Sequence, residues 1–534
     1  MGVFAFYHLI QQISSESKFP FVARVDHMDL GSINQLQPSS DLSLALRLPT
    51  RNDSNLSSIE ETISVLRKVN PGNDWLVSFD AMETQNILGD LSTVGLSLVG
   101  QIPELGMVRF SIINYPKAIP VLQQFIESES LSPNYPLRQP IAPRHEEVFE
   151  GIEFSDSFID WMGGNSIREG FGHGIKIALI DSGVDPSHPV LADVSIRQMN
   201  EHHQLQSEGS TGISHGTALA SVIAGQTDTY SGVSPGSEIL SYQVLDKLGN
   251  TDSYTVANAI VSAVHSGADI INLSLGGEAG SEVLREAVSY ALKSGVPVVA
   301  AVGNDGQGLV NYPAVYDGVI GVTAVGTSGR IANFANFGEG VDVAAPGVGV
   351  LTAWGAEDMG HFSGTSVSAA LVTGAIAAEL SRQPDLTPSQ LEDLLEEFSN
   401  DAEKPGFDAI AGHGILSLAR LENKNNLSYT DPAFIGYHFE HLDGINSGTL
   451  PFQALIQNQG NTWLNGLRLE LNYLGIKKSI LLDNLAPGEI RAEQLFLQGS
   501  DHDGTIEINA CLHLPSGMED NRLENNSRKS VLKF

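Results

Sequence analysis

Between residues 150 and 425 the chain repeats one arrangement, in which short continuous apolar runs are separated by segments of helical pattern. The runs at 175–180, 239–244, 270–274, 297–302 and 319–325 do not alternate apolar with polar residues. Strands of that kind need cover on both faces, and helices joining successive strands provide it when the strands run parallel. The pattern predicts an α/β domain on a parallel sheet. It closes with a helix opening at Thr387-Pro388 and running to 398, then a turn marked by Gly412 and Gly414.

The flanks have other textures. Residues 1–140 mix strand-like runs (42–48, 75–79, 96–102, 107–113) with helical patterns from a cap at Ser57 to about 69, at 82–94 and at 117–128, which predicts an α+β region. The stretch 131–150 holds Pro133, Pro136, Pro140 and Pro143 and reads as a linker, assigned to 141–150 between domains at 1–140 and 151–425. Beyond 425, alternating runs at 452–456, 467–473 and 505–513 with Asn/Gly turns predict a β-sandwich over 426–534. Its removal is expected to spare the chemistry.

Composition removes several function classes. With 29 Lys+Arg against 63 Asp+Glu the net charge is −34, which repels phosphate backbones and argues against nucleic-acid binding. Mean hydropathy is −0.02 and 42% of residues are apolar, enough for several cores. No run of 18 strongly apolar residues occurs, so no membrane span is expected. The first 17 residues lack Lys and Arg, and no Sec signal is read there. Cys511 is the one cysteine, which leaves no internal disulfide and no zinc site of several cysteines. The alternation from 506 to 514 predicts that it is a buried apolar residue.

Three short motifs carry chemistry. The first strand ends in Asp181-Ser182-Gly183-Val184-Asp185, His215-Gly216-Thr217 opens a helical run to 224, and Ser363-Gly364-Thr365-Ser366 precedes another from 367 to 380. Each alone fits an ordinary turn or cap. Together an acid, a base and a nucleophile occupy strand ends and helix starts, where α/β sheets place functional groups. In that reading Ser366 attacks a carbonyl, His215 takes its proton and Asp181 orients the imidazole.

The order Asp, His, Ser and the surrounding text resemble the subtilisin-like serine peptidases over about 150–425. Residues 176–185 with Ser187-His188-Pro189 are similar to that family's aspartate strand, Ile271-Asn272-Leu273-Ser274-Leu275-Gly276-Gly277 to its cleft strand, and Val298-Val299-Ala300-Ala301-Val302-Gly303-Asn304 to its oxyanion segment. The resemblance implies an oxyanion hole from the Asn304 amide and the Ser366 N–H. It also implies substrate contacts from Ser274, Leu275, Gly276, Ala300, Ala301, Val302, Gly303 and Gly249. The small cleft residues suit a sizeable apolar side chain before the cut, and Asp305 at the lip tolerates a basic one. Residues 249–252 are expected to form an edge that pairs with an extended substrate.

The resemblance reaches the flanks as well. Residues 75–140 look like a ferredoxin-like propeptide, made with the enzyme and cut off by it between 131 and 150. Residues 430–534 resemble an immunoglobulin-like CARDB adhesion sandwich, on Asn458-Gln459-Gly460-Asn461, 485–489 and 519–526, and imply a surface or polymer ligand. That arrangement favours export, with a cytoplasmic enzyme as the alternative. Ala370 and Val367 replace the family's usual proline and methionine, and Val190 stands where a common calcium site has an aspartate. No cofactor is expected for catalysis and that calcium site is expected to be absent, while structural calcium elsewhere stays open. The alternatives are a non-catalytic peptide-binding protein on the same scaffold and a sedolisin-type acid peptidase, whose glutamate base His215 disfavours.

Overall fold

The computed structural model describes residues 59–533 except 71, 79–90, 128–129, 142–153, 155–157, 166–167, 200–213, 403–405, 440–448 and 499–504. The strand expected at 42–48 and the cap at Ser57 lie outside the described residues. So do most of the 82–94 helix and the 142–150 part of the linker.

The central domain is a seven-stranded sheet with every strand parallel to its neighbours. Its order is Val343–Pro346, Val319–Val325, Val298–Ala301, Ile270–Leu273, Lys176–Asp181, Glu238–Gln243, Ile196–Gln198. Alternate side chains feed two cores. Ile177, Leu179, Val299 and Ala301 pack with the helices Ser214–Ala224 and Thr365–Arg382. Ala178, Ile180, Ile271 and Val298 pack with Ser253–His265 and Glu282–Lys293. Burial on both faces explains why the sequence shows continuous apolar runs here. The edge strands Ile196–Gln198 and Val343–Pro346 were not anticipated, being three and four residues long.

The N-terminal region is a four-stranded antiparallel sheet in the order Leu96–Ile102, Met107–Ile112, Asp74–Ser78, Leu131–Pro133, accompanied by helices Ile59–Val69 and Tyr115–Glu127. It docks on the second core, to which Leu76, Ile102 and Met107 contribute. Arg109 anchors it. The guanidinium pairs with Asp74 (2.6 Å) and Asp252 (3.3 Å) and lies 5.1 Å over the Tyr254 ring. Asn134 Oδ1 accepts from the Tyr254 N–H and the Ser253 hydroxyl, satisfying free donors at the start of helix Ser253–His265. The proline-rich stretch is therefore not a linker in its described part. Leu131–Pro133 completes the N-terminal sheet and Pro136–Arg138 pairs with Asn250–Asp252.

After residue 430 two antiparallel sheets face each other. One is Pro432–Phe439, Thr449–Asn458, Ile490–Gln498; the other is Ile476–Leu482, Leu467–Tyr473, Thr505–His513, Ser527–Lys533. Phe434, Phe452, Leu469, Ile508 and Leu512 fill the space between them. Cys511 is half-buried, because the alternation that turns Ala510 and Leu512 inward turns it outward. Burial and the nearby Glu470 raise its thiol pKa.

The three-stranded sheet is covered on its other face too. Ala433 and Ile435, on one face by alternation, join Leu455 in the core that holds Phe154, Trp161 and Met162, while a bulge at 434–436 lets Phe434 and Tyr437 both turn to the opposite core. Gln459 donates to the Trp161 carbonyl (3.1 Å), Asn461 to the Asn423 and Asn426 carbonyls, and Arg522 pairs with Asp160. The boundary at 425 thus cuts through a packed, hydrogen-bonded interface. A chain ending at 425 is expected to melt well below the full chain, and comparing the two thermal transitions checks this.

Asp431 is fully buried at this junction and accepts from the Tyr429 hydroxyl (2.9 Å) and Asn525 (2.7 Å). Burial pushes its carboxyl pKa up to about 6. The folded state then holds this proton more tightly than the unfolded chain does. Its contribution is complete below about pH 4 and is lost as pH rises to about 6, up to roughly 3 kcal/mol over two pH units. Asp431→Asn should flatten the fall in thermal midpoint between pH 4 and 6; an unchanged slope would contradict this assignment.

Candidate active site

Parallel strands end on a common edge, and the residues just past their C-terminal ends form one rim. Asp181 ends its strand, Ser274 follows Leu273, and Asn304 follows the strand ending at Ala301. His215 and Ser366 each take the second position of a helix, Ser214–Ala224 and Thr365–Arg382. Asp181, His215 and Ser366 are all at least 95% buried.

Asp181 Oδ1 lies 2.7 Å from His215 Nδ1 and also accepts the Ser182 N–H. The approach depends on Gly216. A Cβ there would meet the Gly183 carbonyl oxygen at 2.3 Å, so only glycine lets the helix start sit on the strand end. Ser182 Oγ accepts from the Gly216 N–H and Thr217 Oγ1 from the Asp185 N–H, closing the junction. The His215 ring packs 5.5 Å from that of Phe362. Neither His215 Nε2 nor Ser366 Oγ has a hydrogen-bond partner among the described residues. The base and the nucleophile are thus not in direct hydrogen-bond contact here.

Asn304 is oriented by the residue before Ser366. Its Oδ1 accepts both the Thr365 N–H and the Thr365 hydroxyl at 2.9 Å, which leaves Nδ2 facing the cleft. A second polar chain runs from Thr373 Oγ1 to Asn272 Oδ1, from Asn272 Nδ2 to Ser274 Oγ, and from Ser274 Oγ to the Ser366 carbonyl. It ties the cleft strand to the serine helix through fully buried groups. Thr365, Asn272 and Thr373 are not among the site residues expected from the sequence. Asn272 carried a signal, a polar residue inside an otherwise apolar strand.

The other expected cleft residues divide. Leu275, Ala300 and Val302 belong to one core, whereas alternation sends Ala301 to the opposite one, so these residues do not line a single pocket wall. Gly303 has φ +110°, and a Cβ there would meet Asn311 and Asn336 at 2.5 Å or less. Val190 is buried in the short turn Pro189–Leu191 and supplies no side-chain oxygen, so that position does not fit calcium.

The cleft is filled by the chain itself. Residues 136–141 lie extended between Asn250–Asp252 and Gly276. Arg138 exchanges two backbone hydrogen bonds with Gly276 (2.9 and 2.8 Å), the Gln139 N–H donates to the Gly249 carbonyl, and Asn304 Nδ2 donates to the Ile141 carbonyl (3.2 Å). Leu137 is 1% exposed. Gly277 admits it, since a Cβ there would come within 3.0 Å of Leu137. Asp305 pairs with Arg138.

A buried carboxylate–imidazole pair at the rim of a parallel sheet, beside an extended segment of the same chain held by its backbone, defines the class as an α/β protein with a strand-binding cleft at that rim. Compared with protein families, residues 172–414 match the subtilase family, peptidase S8. The chain is 37% identical over 254 residues to subtilisin of Bacillus pumilus, covering 46% of this chain and 90% of that protein. It is 32% identical over 277 residues to a thermostable alkaline protease of Halalkalibacterium halodurans, covering 51% and 74%. With subtilisin amylosacchariticus of Bacillus subtilis subsp. amylosacchariticus the identity is 38% over 254 residues, 46% of this chain; the match spans only 65% of that relative's length. The chain belongs to the subtilase family. Among solved structures, fervidolysin of Fervidobacterium pennivorans, a keratinolytic enzyme related to subtilisin, superposes with TM-score 0.57 at 19% identity. The match covers 86% of this chain and 91% of that one, a likeness of fold alone.

Gly216→Ala tests the junction. Alanine would gain about 1 kcal/mol in helix propensity, but the 2.3 Å contact is with backbone and cannot relax cheaply. The variant should melt lower than the parent and lose the Asp181–His215 hydrogen-bonded proton by NMR. A raised melting temperature would show that the contact does not constrain the site.

Proposed function

We propose that the protein is a serine endopeptidase that hydrolyses peptide bonds through an acyl-enzyme, with Asp181, His215 and Ser366 as its triad. The observation that carries this reading is the buried 2.7 Å contact between Asp181 and His215 at the same rim as Ser366 and Asn304. His215 accepts the Ser366 proton as the oxygen attacks, and later gives it to the leaving amine. Asp181 holds Nδ1 protonated, so that Nε2 is the basic nitrogen. The developing oxyanion receives the Asn304 amide and the Ser366 N–H, at the positive end of an 18-residue helix. The chain supplies acid, base, nucleophile and donors, so no cofactor is needed for this chemistry.

We further infer that residues up to about 141 act as the enzyme's own inhibitor and first substrate, in the manner of a propeptide. The support is the segment 136–141, which enters the cleft as a strand and presents the Ile141 carbonyl to Asn304. Self-cleavage would then fall next to Ile141, inside the 131–150 stretch. The sandwich after residue 430 is read as an immunoglobulin-like domain of CARDB type that binds a surface or polymer and braces the catalytic core through Leu455 and Ile435. The acid-peptidase alternative is disfavoured by the imidazole on Asp181.

Ser366→Ala and His215→Ala should each lower peptide hydrolysis by at least about a thousandfold while leaving the thermal transition in place. Asn304→Ala should lower turnover by about 10²–10³, the magnitude known for the corresponding donor in subtilisin rather than one derived from this geometry. Wild type should yield two fragments and label with a fluorophosphonate at Ser366, whereas Ser366→Ala should stay one chain. Undiminished turnover by purified Ser366→Ala would sink the triad assignment.

A further inference from the structure

We propose that Asp305 selects a cationic side chain at the substrate position whose backbone pairs with Gly276. The cleft would then take extended peptides carrying an apolar residue followed by a basic one, as Leu137-Arg138 does in the chain's own segment. The proposal rests on the peptidase reading of this cleft and adds a specificity residue to it.

Backbone pairing fixes where Arg138 sits. Its N–H and carbonyl both bond to Gly276, and strand alternation then sends Leu137 inward and Arg138 toward the rim. There the guanidinium meets Asp305 at 3.5 Å, with the two side chains 50% and 28% exposed. The backbone that carries Asp305 is held in place. The Asn336 side chain accepts the Asp305 and Gln307 N–H groups and donates to the Val302 carbonyl, while the Gly306 N–H bonds to the Phe334 carbonyl. The loop that aims Asn304 into the cleft therefore also fixes Asp305. Asp305 here contacts Arg138, three residues before Ile141, whose carbonyl Asn304 holds.

A half-exposed ion pair discriminates modestly, about two- to fivefold, and loses its effect as salt screens it. The net charge of −34 attracts any cationic peptide, so a test must hold peptide charge constant. Two synthetic peptides meet this need: residues 134–143 in their natural order, and the same peptide with Arg138 and Gln139 interchanged. Wild type should cleave the natural order with kcat/KM about two- to fivefold higher at low salt. The preference should vanish at about 1 M salt and in Asp305→Asn. Equal values in wild type at low salt would overturn the proposal.

Because residues 136–141 hold the cleft of the full chain, a second measurement does not depend on turnover. In Ser366→Ala, adding Asp305→Arg should speed amide exchange at Arg138 and Gln139 several-fold, and adding Arg138→Glu to that variant should restore protection. Unchanged exchange on charge reversal also overturns the proposal. Restored protection with no hydrolysis of either peptide would uphold the Asp305 contact and reject the peptidase reading. Hydrolysis without preference would do the reverse.

Discussion

The site depends on one close approach, that of the helix start at His215 to the strand end at Asp181. Two polar side chains, 5% exposed or less, meet there at 2.7 Å, and each would be costly to bury without the other. The absent side chain of Gly216 makes room for the approach, and the Ser182 hydroxyl holds it. The other half of the site is set in the same way. Thr365 turns the Asn304 amide, and Asn272 and Ser274 tie the serine helix to the neighbouring strand. Asp181 and Ser274 stand at strand ends of one sheet, and the helices of His215 and Ser366 and the loop of Asn304 are fastened to those ends.

The three parts of the described chain work on that sheet from different sides. The N-terminal sheet leans on one core through Leu76, Ile102 and Met107 and threads residues 136–141 through the cleft. The sandwich leans on the other core through Ala433, Ile435 and Leu455. Arg109 is bound at once to its own sheet through Asp74 and to the cleft wall through Asp252. Its ion pairs are about four-fifths buried, which gives them more weight than surface pairs have.

The occupied cleft gives the prolines their meaning. A proline has no N–H to donate, so Pro136 and Pro140 can take part only through their carbonyls. The N–H groups of Arg138 and Gln139 point to opposite walls, to the Gly276 and Gly249 carbonyls. The prolines that read as a linker are compatible with a short strand held from both sides, and local composition does not distinguish the two.

The sequence alone determined the parallel α/β core, because strands buried on both faces must be written as continuous apolar runs. It also determined the candidate acid, base, nucleophile and oxyanion donor, because each stands in a short motif at a strand end or helix start. Alternation in 467–473 and 505–513 announced the sandwich for a similar reason: each strand there is buried on one face and open on the other. Only the tertiary structure decided what joins these parts. The sandwich's second buried face is covered by Phe154, Trp161 and Met162, which lie about 270 to 300 residues away from Ala433, Ile435 and Leu455 in sequence. Asp305 against Arg138, Thr373 against Asn272, and Thr365 and Ile141 against Asn304 are partners 61 to 167 residues apart. Contacts at that separation are set by packing of whole elements, which local pattern does not encode.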